Sequence, residues 1–363
     1  MQADRTAMPY LCTLMETAAP DIRNMTLEEL TAFFQGIGEK PYRARQVYDW
    51  LWQKSAKSFD EMTNLSIDLR NKLSDSLLIR PVQVATTQIS SDRTIKNAFR
   101  LHDGHIVEGV LIPTDERMTA CVSSQVGCSL TCRFCATGKL DRIRNLDASE
   151  IYDQVAFIRK QAEEQYNIPL SNIVYMGMGE PLLNYNNVIR SIEHITSQPG
   201  LGMASRRITV STAGIAKMIK KLGDDQVKFN LALSLHAAND LKRSRIMPIN
   251  ESNSLEALRE ALRYYHDKTG SAVTYEYIVF RDFNDGLEDA KELAEFAKVV
   301  PVKINLIEYN PIDDGEFLQT TEDRLQNFKQ YLWEKGLQVN LRRSRGKDID
   351  AACGQLANKS VKS

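Results

Sequence analysis

From Thr119 onward, short β-branched runs alternate about six times with longer stretches of helical period. The runs at 120–123, 172–176, 207–211, 228–234, 273–280 and 302–308 predict strands. Helices are predicted to begin near Ala148, Tyr185, Gly214, Leu255, Leu287 and Glu322. Asp147 and Glu150 have capping-box spacing, and Gly270 and Gly336 stand where two helices stop. Strand and helix in regular alternation imply a parallel sheet with right-handed crossovers. The fold class is therefore α/β, and the repeat suits a partial (β/α)6 barrel.

The chain ahead of that repeat has two different patterns. A small helical unit opens at Thr26 and Glu29, which have capping-box spacing, and continues with helices over 41–54 and 66–77. Strands are predicted at 82–89, 95–101 and 105–111, the last two joined through Asp103-Gly104, a hairpin signal. His102 and His105 flank that turn and read as turn polar groups. The expected organisation is a loose leader over 1–24, a helical accessory domain over 25–80, a β extension over 81–118, the barrel over 119–342 and a C-terminal segment over 343–363. Cys12 lies in the leader and reads as incidental; Met15 and Met25 are alternative starts.

Composition narrows the class. The 363 residues are 43% hydrophobic and 26% charged, as in an ordinary soluble protein, and no apolar run reaches spanning length. No secretory signal pattern is present, so the expected location is cytoplasmic, where cysteines stay reduced. A net charge of −1 does not announce a nucleic-acid partner. Basic residues do cluster locally: Arg142 and Arg144; Arg206 and Arg207; Lys242, Arg243 and Arg245; Arg342, Arg343, Arg345 and Lys347. Singly each reads as solvated surface; several at one mouth would make a phosphate track. Lys40, Arg43 and Arg45 interleave with Tyr42, Tyr48 and Trp50, which suits either a nucleic-acid surface or an amphipathic helix with a basic face.

Three of the six cysteines, Cys128, Cys132 and Cys135, fall within eight residues. That spacing is too tight for a disulfide ladder and one ligand short of a closed site. Iron–sulfur clusters are held by cysteine thiolates, usually four, so three would leave one iron open. A zinc site with a distant fourth ligand, or three structural cysteines, are the alternatives on spacing alone. Other unusual residues fall at predicted strand ends, where barrels of this kind place their active sites. They are the GMGEP turn from Gly177 to Pro181, Ser211-Thr212, Ser234-Leu235-His236 and Asn310-Pro311. The glycines let backbone approach a small polar ligand, and Glu180 could accept an ammonium proton; a plain strand-to-helix turn is the other reading.

The cysteine triad resembles that of the radical S-adenosylmethionine (SAM) enzymes. Together with CVSSQVGC from Cys121, FCATG from Phe134, GMGEPLLN from Gly177 and AACGQL from Ala351, it is similar to the RlmN family of RNA adenine C2-methyltransferases, over about residues 22–356. The resemblance implies a [4Fe–4S] cluster on Cys128, Cys132 and Cys135, with SAM chelating the open iron. It implies SAM contacts at Gly179, Glu180, Ser211, Ser234, Leu235, His236 and Asn310. It assigns Cys353 as the methyl carrier, Cys121 as the cysteine that resolves the RNA adduct, ending in a Cys121–Cys353 disulfide, and Glu108 as proton acceptor. Read from the residues alone, Glu108 is a surface carboxylate, His236 an interior histidine and Cys353 a packed cysteine.

The implied substrates are adenine 2503 of 23S rRNA and adenine 37 of tRNA, methylated at C2 with two SAM consumed. The base would have to be splayed out of its stack, with Arg342, Arg343 and the helical unit as candidates for gripping RNA. A flavodoxin- or ferredoxin-type electron donor, action as a monomer and no membrane partner are expected. Two other functions compete: C8 methylation of the same rRNA adenine, as in the sister Cfr family, and a non-catalytic RNA-binding module stabilised by a metal.

Overall fold

Thr26 opens the first helix by a reciprocal cap: its Oγ1 accepts from Glu29 N–H at 3.1 Å, and the Glu29 carboxylate accepts from Thr26 N–H at 2.7 Å. The computed structural model describes residues 19–115 and 117–359, in two units that divide after Pro81. In the first unit, helices α1 (Leu27–Gly36), α2 (Tyr42–Trp52) and α3 (Ile67–Ser76) bury Leu30, Phe34, Val47, Leu51, Leu69 and Leu73. These recur at helical spacing, so each helix turns one apolar stripe inward. Lys54, just past α2, stacks on Trp50 at 3.6 Å and Arg43 on Tyr42 at 5.1 Å, while Arg45 pairs with Asp49 at 3.0 Å. Most of the expected leader, with Cys12 and Met15, lies outside the described residues. Its end is tied in: Ile22 N–H donates to Leu78 O at 2.9 Å and Leu78 N–H to Pro20 O at 2.9 Å.

The second unit is built on a ten-stranded sheet. Its strands are β1 (Gln83–Ile89), β2 (Ile95–Arg100), β3 (Ile106–Pro113), β4 (Met118–Cys121), then, after a two-stranded ribbon of β5 (Gln125–Val126) and β6 (Arg144–Asn145), β7 (Asn172–Tyr175), β8 (Ile208–Thr212), β9 (Asn230–Ser234), β10 (Val273–Val279), β11 (Val302–Glu308) and β12 (Gln338–Arg342). The sheet order is β1-β2-β3-β4-β7-β8-β9-β10-β11-β12. β1 to β4 pair antiparallel, and every pair from β4 to β12 is parallel. The crossovers carry α4 (Ala148–Tyr166), α5 (Tyr185–Thr196), α6 (Ala216–Asp224), α7 (Asp240–Ile246), α8 (Leu255–Thr269), α9 (Leu287–Phe296) and α10 (Glu322–Glu334).

This is the α/β partial barrel that the alternation predicts, extended by one strand. The central strands are buried on both faces, as β10 shows with Val273, Tyr275, Tyr277, Ile278 and Val279. β12, α7 and the β5–β6 ribbon were not among the predicted elements. They are short, and β12 carries only Val339 and Leu341 as apolar residues. Glu150 accepts from Asp147 N–H at 2.9 Å at the start of α4, and Gly270 ends α8 at φ 67°. Among the described residues no helix is long and apolar enough to cross a membrane.

Candidate active site

The unusual strand-end residues converge on one open cleft of about 860 Å³ in the second unit. Cys128, Cys132, Cys135 and Cys353 line it. So do Gly179, Glu180, Ser211, Ser234 and His236. Leu235, Asn310, Cys121 and Glu108 do not line it, and their positions are described below.

The motif flanking the cysteines builds the opposite wall. Ser123 Oγ donates to Glu108 O at 2.5 Å and accepts from Met178 N–H at 2.8 Å; Gln125 Oε1 accepts from Glu180 N–H at 2.8 Å. The GMGEP turn is thus docked on residues 122–125. It needs its glycines: a Cβ on Gly177 would lie 2.7 Å from Ser123 Oγ, and one on Gly179, at φ 94°, would lie 2.4 Å from Gln125 Cβ. Glu180 is buried and accepts N–H bonds from Leu182 at 3.0 Å and Ala213 at 2.8 Å. Burial outweighs these donors and raises its carboxyl above the usual range. Such a group accepts readily from a cationic ligand.

His236 takes a left-handed backbone, φ 56°, at the end of β9. Its Nδ1 accepts from Ile278 N–H at 3.1 Å, which leaves the ring proton on Nε2. Burial, with the Arg243 charge nearby, lowers its pKa to about 3, so the ring is neutral. Phe134 stands edge-on to it at 4.7 Å, joining the cysteine loop to this strand end.

Cys121, Cys128, Cys132, Cys135 and Cys353 are free thiols. Burial pushes Cys128 up to about 11 and Cys132 well above its ordinary value, and a bound cation favours the thiolate forms. No group of three His, Cys, Asp or Glu side chains among the described residues is arranged around a single ion. Cys128, Cys132 and Cys135 line one cleft together, which supplies the three thiols that an iron–sulfur cluster with one open iron requires.

The Cys353 loop is fastened directly to the cysteine loop. Ala136 N–H donates to Gly354 O at 2.7 Å, Thr137 Oγ1 to Leu356 O at 2.7 Å and Asn310 Nδ2 to Cys353 O at 3.2 Å. Asn310 therefore supports the loop from behind, and Leu235 is fully buried below the strand end. Cys121 ends β4, buried, with its pKa pushed up to about 12 by burial and then by Cys353. Arg342, at the end of β12, lines the cleft and is drawn further toward its charged form chiefly by Cys353, with Glu276 at 3.7 Å.

Glu108 overturns its reading as a surface carboxylate. It is fully buried on β3, faces Lys96 Nζ at 3.2 Å, and its Oε2 accepts from Ala357 N–H at 2.9 Å and Asn358 N–H at 3.0 Å. The segment at Ala357 and Asn358 reaches it from 249 and 250 residues away, a placement that β-strand period alone does not distinguish from a solvent face. The basic clusters change as well. Arg243 is fully buried, Arg144 pairs with Glu150 at 2.7 Å, Lys242 with Asp289 at 2.5 Å, Lys347 with Glu308 at 3.1 Å and Arg343 with Glu322 at 2.6 Å. Arg206 and Arg207 are exposed. Ser123 and Gln125 hold the turn and were not singled out from the sequence, although CVSSQVGC held the signal; Arg342, a candidate for gripping RNA, lines the cleft.

Two family models match the chain: Ribosomal RNA large subunit methyltransferase N-terminal domain over residues 20–79 and Radical SAM superfamily over residues 122–297. The chain is 60% identical over 359 residues to the probable dual-specificity RNA methyltransferase RlmN of Cytophaga hutchinsonii, covering 98% of each. It is 46% identical over 344 residues to the dual-specificity RNA methyltransferase RlmN of Nitratidesulfovibrio vulgaris, covering 93% of this chain and 94% of that one. Among solved structures it matches a radical SAM methyltransferase from Sphaerobacter thermophilus with a TM-score of 0.88 and 39% identity, covering 93% of this chain and 98% of that one.

Proposed function

The chain belongs to the RlmN family of radical SAM RNA methyltransferases, and from that premise we propose that it methylates C2 of adenine 2503 in 23S rRNA and of adenine 37 in tRNA. The observation that carries the reading is the gathering of Cys353 into the same cleft as the three cysteines and the GMGEP turn. C2 is an electron-poor carbon bearing hydrogen, and it cannot displace a methyl group from a sulfonium as an amine would. A separate carrier is therefore needed, and the cleft offers a thiol.

Cys128, Cys132 and Cys135 would hold the [4Fe–4S] cluster, and Gly179, Glu180, Ser211, Ser234 and His236 would hold SAM, with Leu235 and Asn310 supporting from behind. Bound there, the cluster and two SAM molecules supply one methyl group and one 5′-deoxyadenosyl radical per turnover. Cys353 takes the methyl group by displacement, gives up a hydrogen atom from it, and adds the resulting carbon radical to C2. Glu108 takes the C2 proton; to do so it must exchange its present bonds to Ala357 and Asn358 for the base. The Cys121 sulfur attacks the Cys353 sulfur and displaces the methylene carbon, which takes a proton to become the methyl group; the adduct's unpaired electron would return to the cluster, and the Cys121–Cys353 disulfide is reduced by two electrons before the next cycle. A flavodoxin- or ferredoxin-type protein would supply electrons. Action as a monomer is part of the same reading.

Anaerobic reconstitution with iron and sulfide, followed by labelled SAM, reductant and an rRNA fragment, tests this. Chromatography and mass spectrometry of the digested nucleosides should give 2-methyladenosine. A product methylated at C8 would transfer the chain to the sister activity. No methylation with a loaded cluster, bound SAM and a verified RNA would sink the reading. Gly179→Ala, which forces a Cβ against Gln125 at positive φ, is expected to weaken SAM binding about tenfold or more in equilibrium dialysis, with circular dichroism unchanged.

A further inference from the structure

Arg243 carries a positive charge into the interior with no anion to meet it. Its side chain is fully buried on α7. Its Nε donates to Leu235 O at 3.1 Å, Nη1 to Asn250 Oδ1 at 2.8 Å, and Nη2 to Ala213 O at 2.5 Å and Ser234 O at 3.3 Å. All these acceptors are neutral. Among the described residues no carboxylate lies within ion-pair distance of it. Asp240 is the one carboxylate that influences its charge, after Cys132, and its Oδ1 is taken by Asn250 Nδ2 at 2.8 Å and Leu255 N–H at 2.9 Å. Hydrogen bonds satisfy the guanidinium's donors, yet they leave its charge uncompensated, and buried charges are costly unless an opposite charge offsets them.

α7 abuts the cysteine loop. Ile246 O accepts from Arg133 N–H at 3.0 Å, and Ile246 and Met247 share a core with Phe134, against which Cys128, Cys132 and Cys135 pack. Arg243 and Cys132 are within electrostatic reach of each other. Three thiolates on a cubane core are net negative, and one-electron reduction adds a further negative charge. We propose that Arg243 is the built-in countercharge of the cluster site, a positioning residue whose fixed charge favours one-electron reduction while its hydrogen bonds fix the ends of β8 and β9. This rests on the radical SAM reading. Net charge and burial are among the levers that set a cluster's potential, and a nearby buried cation pulls that potential upward.

The test is potentiometry of the reconstituted protein, following the reduced cluster by its electron paramagnetic resonance signal, with iron content measured alongside. Arg243→Gln keeps hydrogen-bonding capacity and loses the charge; Arg243→Lys keeps the charge and loses the fork. The expected result is a reduced-to-oxidised ratio about tenfold lower for Arg243→Gln at fixed potential, a downward shift of about 59 mV for one electron, with Arg243→Lys close to wild type. Equal shifts in both variants, or none in either, would overturn the proposal and leave Arg243 a structural stitch. Where Arg243→Gln fails to take up iron, Arg243→Lys and Asp240→Asn decide. Asp240→Asn keeps the Oδ1 acceptor and should move the potential upward by a smaller amount; an unmoved Asp240→Asn, or a fall in Arg243→Lys, overturns it. Failure of the wild type itself to take up a redox-active cluster would instead remove the function proposed above.

Discussion

Cys353→Ala is expected to lower RNA methylation by at least about 10³-fold while iron content and SAM binding stay at wild-type levels, since a covalent carrier has no substitute. The loop does not depend on the thiol for its shape. Asn310 holds the Cys353 carbonyl, Ala136 holds the Gly354 carbonyl, and Gln355 Nε2 donates to Pro311 O at 3.0 Å. Alanine keeps all three bonds, so the loss is chemical rather than structural. Transfer of labelled methyl to RNA is the readout, with the cluster spectrum as the control. Retention of more than a tenth of wild-type methylation would mean that the methyl group reaches C2 without Cys353.

Lys96→Met carries the largest expected cost in stability, about 3–5 kcal/mol, because it leaves the fully buried Glu108 carboxylate without its cation. For a unit of this size that corresponds to a fall in Tm of roughly 5–10 °C, readable by scanning calorimetry. Adding Glu108→Gln to Lys96→Met removes the orphaned charge and should recover part of the loss. The same cycle separates charge from packing, because Glu108→Gln still offers an acceptor to Ala357 and Asn358. A Lys96→Met protein as stable as wild type would mean that Glu108 does not depend on Lys96 for its stability in the interior.

The parallel repeat was legible because each strand and helix repeats a local pattern. β11 matches its predicted bounds, and α4, α5, α8, α9 and α10 start where capping and period place them. What escaped is decided by tertiary neighbours. α7 is only seven residues long and β12 five, too short for period to speak. Glu108 and Arg243 look like surface charges by type, and only the strands and loops folded over them make them interior. Arg342 reads as one member of a basic cluster, yet the register of β12 against β11 carries it to the cleft. The cysteine triad and the GMGEP turn were legible because short spacing fixes their local chemistry. That Ser123 and Gln125 hold the turn in place depends on two strand ends meeting, which spacing does not reveal.

The fastenings of the Cys353 loop also set an order of assembly. Thr137 meets Leu356 across 219 residues, Glu108 meets Ala357 across 249, and Ser90 meets Asp348 across 258. Closing loops this long costs little more than closing ones half as long, but contacts of such separation form slowly, and paired intervening strands bring their ends together. The carrier cysteine is therefore expected to dock late in folding, after the sheet that bears the cluster ligands exists. These few bonds hold the segment over 351–358 to the sheet, and it is expected to open before the sheet does. Under mild denaturant the enzyme should lose its chemistry while its secondary structure is still whole, so activity is a more sensitive gauge of damage than ellipticity.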